Sequence, residues 1–434
     1  MLTGEPPVDD DEEQPQMSHH PTDRPGTPAL GPLGQIRIGD RAARTLTTEL
    51  ARHAGPKTAL LVGASADSLV LAEALDALLP GDQLTVVAAD ATVAGHLATL
   101  GSFLAERVKV VDDLAAAEAA ELVIVAEPVV GSGEEARNTV EQLSKYVAEG
   151  GLLIIAAVAL PGLSGGATDE LDRIAARQGV GSDLVLRNTP PVRVHRLRFT
   201  DVDPAVAGKL GPAFRPSSVP LYGTMNIDSN GVAAAGIALG AAAFLKATRP
   251  KSKAWVLPAL LAAPVAAFFR DPEREVPADP TAVVASADGR VLSVEHIYDE
   301  RFADEEFLRI AVFLSVLDVH VNRAPVAGKV VDYFVEDGGY ANAMKPEAEH
   351  NVAAYTVLET PDRNRVVVAQ RTGLIARRIV QRAPIGALLA KGERFGLIRF
   401  GSRTDVYLPA DKAEALVAPG DRVSGGSTVI ARLR

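Results

Sequence analysis

The stretch Phe395-Gly396-Leu397-Ile398-Arg399-Phe400-Gly401-Ser402-Arg403-Thr404-Asp405-Val406-Tyr407-Leu408-Pro409 is two apolar runs of strand character broken by one Gly-Ser step. Isoleucine, valine, phenylalanine and tyrosine around the break favour extended backbone. Glycine at the break tolerates conformations that other residues resist, and the serine sets a hydroxyl beside a peptide carbonyl. Such a site can cut itself. Gly-Ser is also ordinary turn chemistry, so the residues around it decide.

Outward from this step the strand-like style continues. Residues 282–291 hold Asp288-Gly289 between apolar flanks, and 325–331 and 417–423 repeat short apolar runs punctuated by glycine, which predicts a β-rich α+β domain over 270–434. The pieces are similar to the half-barrels of biotinyl and lipoyl domains. The lysine those carriers modify sits at a tight exposed turn with a flanking motif, which Lys329 lacks. Upstream, residues 231–269 contain two apolar blocks, 231–245 and 254–269, separated by Lys246, Arg249, Lys251 and Lys253. Each is shorter than the roughly 20 residues that span a bilayer. The expectation is an apolar helical hairpin dipped into one leaflet, with its basic turn near anionic headgroups. A hairpin buried in a globular core is the less favoured alternative, because 231–245 is apolar nearly all round. Residues 216–230, rich in Pro, Ser and Gly, read as a linker.

Composition narrows the function classes. A chain of 434 residues accommodates two or three domains. Its 47% hydrophobic content points to membrane contact. The absence of cysteine excludes disulfides, thiolate metal sites and a cysteine nucleophile, and no metal centre is expected. A net charge of -11 argues against a nucleic-acid partner. The first residues lack an apolar core behind a basic start, so no cleaved secretion signal is expected. Residues 1–35, with the run Asp9-Asp10-Asp11-Glu12-Glu13 and the pair His19-His20, read as a disordered acidic leader rather than a metal site.

Residues 36–215 alternate. Helix-like 41–53 and 66–79 bracket the apolar run Ala59-Leu60-Leu61-Val62, and further runs follow at 84–87, 108–111, 122–125 and 152–158. Short buried strands separated by helices predict a doubly wound parallel sheet, closed by an antiparallel hairpin from 183–186 and 192–197. This order resembles the class I S-adenosylmethionine-dependent methyltransferases. The resemblance implies that Gly63 closes the first strand at the cofactor loop and that Asp90 holds a ribose. Gly150-Gly151 is similar to that family's turn before a strand. The loop Gly63-Ala64-Ser65-Ala66-Asp67 keeps one glycine where the family has two or three. The domain therefore reads as degenerate and scaffold-like, with S-adenosylmethionine binding as the minority alternative.

Across 269–434 several ordered motifs agree. Phe268-Phe269-Arg270-Asp271-Pro272-Glu273-Arg274 follows the apolar blocks; Ser286-Ala287-Asp288-Gly289-Arg290-Val291 and Leu317-Asp318-Val319-His320-Val321-Asn322-Arg323-Ala324-Pro325 come next; Gly373-Leu374-Ile375-Ala376-Arg377-Arg378-Ile379 precedes the opening stretch. Together they resemble phosphatidylserine decarboxylase proenzymes of the short bacterial type. The resemblance implies a chain that cleaves between Gly401 and Ser402 and converts Ser402 into a pyruvoyl group. That group is the electron sink for decarboxylating phosphatidylserine to phosphatidylethanolamine and carbon dioxide, so no dissociable cofactor is required.

A serine hydroxyl needs a base at neutral pH. His320, the histidine inside a family motif, is the candidate. Asp288 would orient it in the manner of a triad, or Asp318, two residues away on an extended strand, would assist. His296 and His350 read as packed core residues, and Asp288-Gly289 has the plain alternative of a hairpin turn. Arg323 and Arg403 are candidates for the substrate phosphate or carboxylate, with surface salt bridging as the equal alternative. Gly425-Gly426-Ser427-Thr428 is a rival processing site matching the longer branch of the family; cutting there would release too short a piece to be retained, so Ser402 is preferred.

The expected partners are phosphatidylserine in the membrane, the cleaved chain 402–434, and a second copy in a homodimer. The expected location is the cytoplasmic face of the cell membrane, peripheral or hairpin-anchored. Two other functions stand beside this one: an uncleaved biotinyl-like binding module, and a bifunctional enzyme whose front domain methylates the amine that the back domain produces.

Overall fold

The computed structural model describes residues 36–99, 106–160, 165–214, 216, 218–222, 224–302, 305–374, 378–399 and 402–434. The acidic leader, the His19-His20 pair and Phe400-Gly401 lie outside the described residues.

The front domain is a seven-stranded sheet of β1 (Thr58–Ala64), β2 (Gln83–Ala88), β3 (Val108–Val111), β4 (Ala120–Val125), β5 (Val147–Val158), β6 (Gly179–Val185) and β7 (Val192–Leu197), in the order β3-β2-β1-β4-β5-β7-β6. The first five strands are parallel; β7 lies antiparallel to both β5 and β6. The apolar runs form strands because they are covered on both faces: Leu61, Ile124 and Ile154 pack into one layer, Leu60, Val123 and Leu153 into the other. This is the methyltransferase-like arrangement. Gly63 has φ +77, which fits glycine at the end of β1.

Residues 216–230 are not a free linker. Val219–Tyr222 and Met225–Ile227 pair with each other, and Arg270–Pro272 adds a third antiparallel strand beyond the hairpin. The helices are Ser229–Thr248 and Val256–Phe268. The first has 20 residues, because Asp228 caps it upstream of the apolar block by accepting from Asn230 N, and the helix runs on through Lys246. It is long and apolar enough to cross a membrane, about 30 Å at 1.5 Å per residue. The expectation that each block is too short therefore fails for this helix. The buried-hairpin alternative fails as well, since Ile237, Phe244, Leu257 and Leu260 are 75%, 67%, 66% and 68% exposed.

The back domain is built on an eight-stranded antiparallel sheet. Its order is Leu388–Leu389, Gly328–Glu336, Ala353–Glu359, Arg365–Arg371, Ser402–Pro409, Glu306–Leu314, Gly289–Tyr298 and Arg422–Val423. Small sheets formed by Val321–Arg323, Arg394–Ile398 and Ile379–Gln381, and by Ala282–Val284, Val429–Leu433 and Ala413–Ala415, complete it. The strand that starts at Ser402 is central and wholly buried. Within it Asp405 accepts from Arg403 Nε at 2.6 Å and from Arg371 Nε on the neighbouring strand at 2.9 Å. Burial alone would raise the Asp405 carboxyl, but the two guanidinium groups outweigh it and hold it below the ordinary carboxylate value.

The domains meet through ion pairs. Arg52 pairs with Glu393, and Lys329 Nζ lies 2.5 Å from Asp201. Lys329 is buried there, which removes the exposed carrier lysine that a biotinyl-like module needs. A cavity of about 470 Å³ lies between the domains, lined by Glu49, Arg52, Arg196, Arg198 and Glu393 among others; neither His320 nor Ser402 lines it.

Asp405→Asn leaves two buried guanidinium groups without their anion, a class of change that costs about 3–5 kcal/mol. A clear fall in the guanidinium unfolding midpoint is expected, and an unchanged midpoint would remove Asp405 from the fold's support.

Candidate active site

Three strands of the large sheet end together. Arg290 stands opposite Phe313, and Ser402 opposite Leu314. Asp288, the turn that begins at Ser315, and Ser402 therefore share one end of the sheet. Gly289 is required there by close approach: a Cβ on it would stand 2.1 Å from the carbonyl oxygen of Phe313. The residue starts a strand rather than a hairpin turn.

From Leu314 the chain turns through Ser315 to Val319. The Asp318 carboxylate closes this turn by accepting from Ser315 N at 2.8 Å and Ser315 Oγ at 2.7 Å, and it also meets Arg422 at 3.2 Å. Asp318 is thus on a turn, not on a strand face shared with His320. Next comes His320, buried, with Nδ1 2.9 Å from the backbone oxygen of Asp318. A carbonyl cannot donate, so Nδ1 carries the hydrogen and Nε2 keeps the lone pair. Its ring lies 4.2 Å, centroid to centroid, from that of Phe268, the last residue of the second hairpin helix. Burial pushes the His320 pKa down to about 4; the Asp318 carbonyl and carboxylate oppose this and Arg270 adds to it. At pH 7 the imidazole is neutral, as an acceptor must be.

Ser402 Oγ is buried and has no hydrogen-bond partner among the described residues. Ile398 N donates to His320 O at 3.2 Å, so the strand before Phe400 runs beside the histidine and the strand after Gly401 opens with the serine. The structure thus brings His320, Ser402, Asp318 and Asp288 to one neighbourhood.

The orienting contact at His320 Nδ1 comes from the Asp318 backbone. Asp288 instead accepts from Arg274 Nη2 at 2.6 Å and from Gly425 N at 2.8 Å. The rival stretch Gly425-Gly426-Ser427 forms a tight turn, Gly426 with φ +80, and this turn seats Gly425 against Asp288 and Ala287. Arg323 is buried with Asp271 at 3.0 Å, and Arg403 is buried on Asp405. Both are salt-bridged, but in the interior rather than at the surface as the alternative had it. His296 and His350 are exposed, which corrects their reading as packed core residues. In the front domain Asp90 is exposed and accepts from Thr92 N at 2.8 Å, with Gly63 at the preceding strand end. Sequence reasoning missed Phe268 and Arg399, although one lies in the motif that follows the apolar blocks and the other in the Gly-Ser stretch itself.

A buried serine opening a central strand, a neutral histidine beside its approach and an apolar hairpin rooted on that histidine define an enzyme domain rather than a carrier. Residues 261–431 match the family model described as phosphatidylserine decarboxylase, which places the domain among the carboxy-lyases. A phosphatidylserine decarboxylase proenzyme of Symbiobacterium thermophilum is 49% identical over 183 residues, 41% of this chain and 85% of that one. One of Syntrophotalea carbinolica is 45% identical over 168 residues, 38% of this chain and 78% of that one. The chain belongs to the phosphatidylserine decarboxylase family. Among solved structures, the O-methyltransferase TomG of Streptomyces achromogenes is 14% identical with a TM-score of 0.28, covering 38% of this chain and 82% of that one. The strand order, rather than that likeness, assigns the front fold.

Because His320 titrates at about 4 in the folded chain and at the ordinary 6.5 when exposed, the unfolded chain binds more protons between those values. Stability contributed by this group is present above pH 6.5 and is lost as pH falls toward 4. His195, also pushed down to about 4 by burial, acts in the same window. Denaturant midpoints measured from pH 7.5 to 4.5 are expected to fall, with a shallower slope in His320→Gln. Equal slopes would contradict the buried neutral imidazole.

Proposed function

We propose that this chain decarboxylates phosphatidylserine to phosphatidylethanolamine and carbon dioxide, after cutting itself between Gly401 and Ser402. The observation that carries the reading is Ser402 Oγ, buried and unpartnered among the described residues at the first position of a central strand. Its neighbour His320 supplies a neutral nitrogen acceptor. His320 takes the Ser402 proton as the oxygen attacks the Gly401 carbonyl, giving an ester in place of the peptide bond. Elimination breaks the Ser402 Cβ–O bond, leaving Gly401 as a carboxylate and Ser402 as dehydroalanine. Addition of water and loss of ammonia then leave a pyruvoyl group. The buried hydroxyl has no hydrogen bond among the described residues to give up when it is consumed.

Once formed, the pyruvoyl group supplies the ketone that withdraws electrons as carbon dioxide leaves. The chain's own residues hold it at the strand's first position, exclude water and manage the proton at His320. The product chain 402–434 stays bound, because Ser402–Pro409 keeps Glu306–Leu314 on one side and Arg365–Arg371 on the other, while Val429–Leu433 pairs with Ala282–Val284. The exposed apolar hairpin supports a place at the cytoplasmic face of the membrane, with Lys246, Arg249, Lys251 and Lys253 toward anionic headgroups. The front domain is read as a scaffold, its contribution being the ion pairs to the decarboxylase domain.

Ser402→Ala is expected to remain one band near 45.5 kDa without activity, while Ser427→Ala is cut normally; the opposite pattern on a gel overturns the assignment. Calorimetry with S-adenosylmethionine is expected to show no binding heat. Saturable micromolar binding would instead favour the bifunctional reading.

A further inference from the structure

The two arginines singled out by sequence for the substrate are already paired to buried carboxylates. Two others stand at the feet of the hairpin, beside His320. Arg399 lies three residues before Ser402. Its Nη2 donates to Asn230 Oδ1 at 2.7 Å, at the start of helix Ser229–Thr248, and its Nε is buried without a partner among the described residues. Arg270 follows the end of helix Val256–Phe268 and donates to the Ala267 oxygen at 3.3 Å and to the Leu317 oxygen. The feet are one unit: Asp228 N donates to Phe269 O at 2.9 Å, and Gly231 packs against Phe269. Neither guanidinium has a carboxylate within salt-bridge distance among the described residues. Asp228, the acid at this root, is bound to Arg382 at 2.6 Å.

Arg270 acts on the site directly, and Arg399 borders it through the backbone. Arg270 lowers the His320 pKa, and the backbone of Ile398, next to Arg399, donates to His320 O. Burial followed by the like charge of Arg378 lowers the Arg399 pKa, so an anion placed there relieves both desolvation and repulsion. The surroundings are apolar and outward-facing: Leu317 is 82% exposed, and the hairpin above presents Leu257 and Leu260. A free anion has no reason to seek such a place. A lipid phosphate, attached to acyl chains lying along the hairpin, does.

We infer that Arg399 and Arg270 bind the phosphodiester of the lipid headgroup and so hold its serine toward residue 402. Two guanidinium groups on one phosphate form charge-assisted hydrogen bonds with definite geometry. They act as substrate-positioning groups that select phospholipid from free serine. The inference rests on the decarboxylase reading, and the wild-type enzyme tests that first: failure of the processed wild type to release carbon dioxide from phosphatidylserine vesicles removes the activity itself.

Given an active wild type, Arg399→Gln and Arg270→Gln are each assayed as processed enzyme on mixed phosphatidylserine–phosphatidylcholine vesicles. KM is expected to rise at least tenfold in each with kcat changed less than threefold, and Arg399→Lys to recover part of the loss. Sedimentation with pure phosphatidylcholine vesicles should be unchanged, because the hairpin remains. An unmoved KM in both variants overturns the inference, as does a fall in kcat alone. Where Arg399→Gln fails to mature, the KM of Arg270→Gln decides. Competitive inhibition of the wild type by low-millimolar inorganic phosphate, with lipid KM unmoved in the variants, would mark a free-phosphate site and equally overturn the headgroup assignment.

Discussion

Two arginines face each other across neighbouring strands at the centre of the large sheet, Arg371 and Arg403. Like charges so placed push strands apart. The Asp405 carboxylate between them reverses that, and the hydroxyls of Tyr355 and Tyr407 accept from Arg371 at 3.0 and 3.1 Å to complete the network. A buried ion cluster of this kind adds little net stability compared with an apolar core. It does fix register. A slip of one residue would carry Asp405, together with Arg403, to the other face and leave Arg371 without its carboxylate. Ser402 is three residues away on the same strand, so the register that satisfies Asp405 also sets Ser402 opposite Leu314. Ser402 inherits its placement from an electrostatic requirement deeper in the sheet.

His320 is located by a different route. It follows a turn closed by Asp318 and is pressed against Phe268, so one partner belongs to the sheet and the other to the hairpin. The hairpin in turn starts and ends in a small three-stranded sheet that bridges it to the rest of the chain. The exposed apolar helices and the buried imidazole therefore share a foundation. Burial makes the imidazole neutral at working pH, the form that accepts a proton.

The front domain was legible because parallel strands covered on both faces are written as unbroken apolar runs. All seven emerged close to their read positions, and the closing hairpin is antiparallel, with β7 adjoining β5. Residues 216–230 were misread for the opposite reason. Strands of three and four residues carry almost no periodic signal, and their third partner, Arg270–Pro272, lies beyond the whole hairpin. In the site, motif and chemistry singled out Ser402 and His320, and both are buried near one end of the large sheet. The roles of Arg323 and Arg403 were not legible, since whether an arginine awaits a ligand depends on whether a carboxylate such as Asp271 or Asp405 has reached it first. That is a fact of tertiary contact. The same holds for His296 and His350, which stand at exposed positions although nothing local marks them so.

The central place of Ser402–Pro409 has a consequence in time. Both neighbouring strands, Glu306–Leu314 and Arg365–Arg371, precede it in the chain, so during synthesis the serine arrives last, into a slot already flanked. Its surroundings exist only in the assembled sheet. If the bond before it is then broken, the nick becomes a permanent record that this molecule once folded correctly. It is also a one-way gate: after denaturation, two separate chains would have to find each other before that strand could be threaded back between its neighbours. The mature protein would endure through the slowness of its unfolding rather than through the ease of its return.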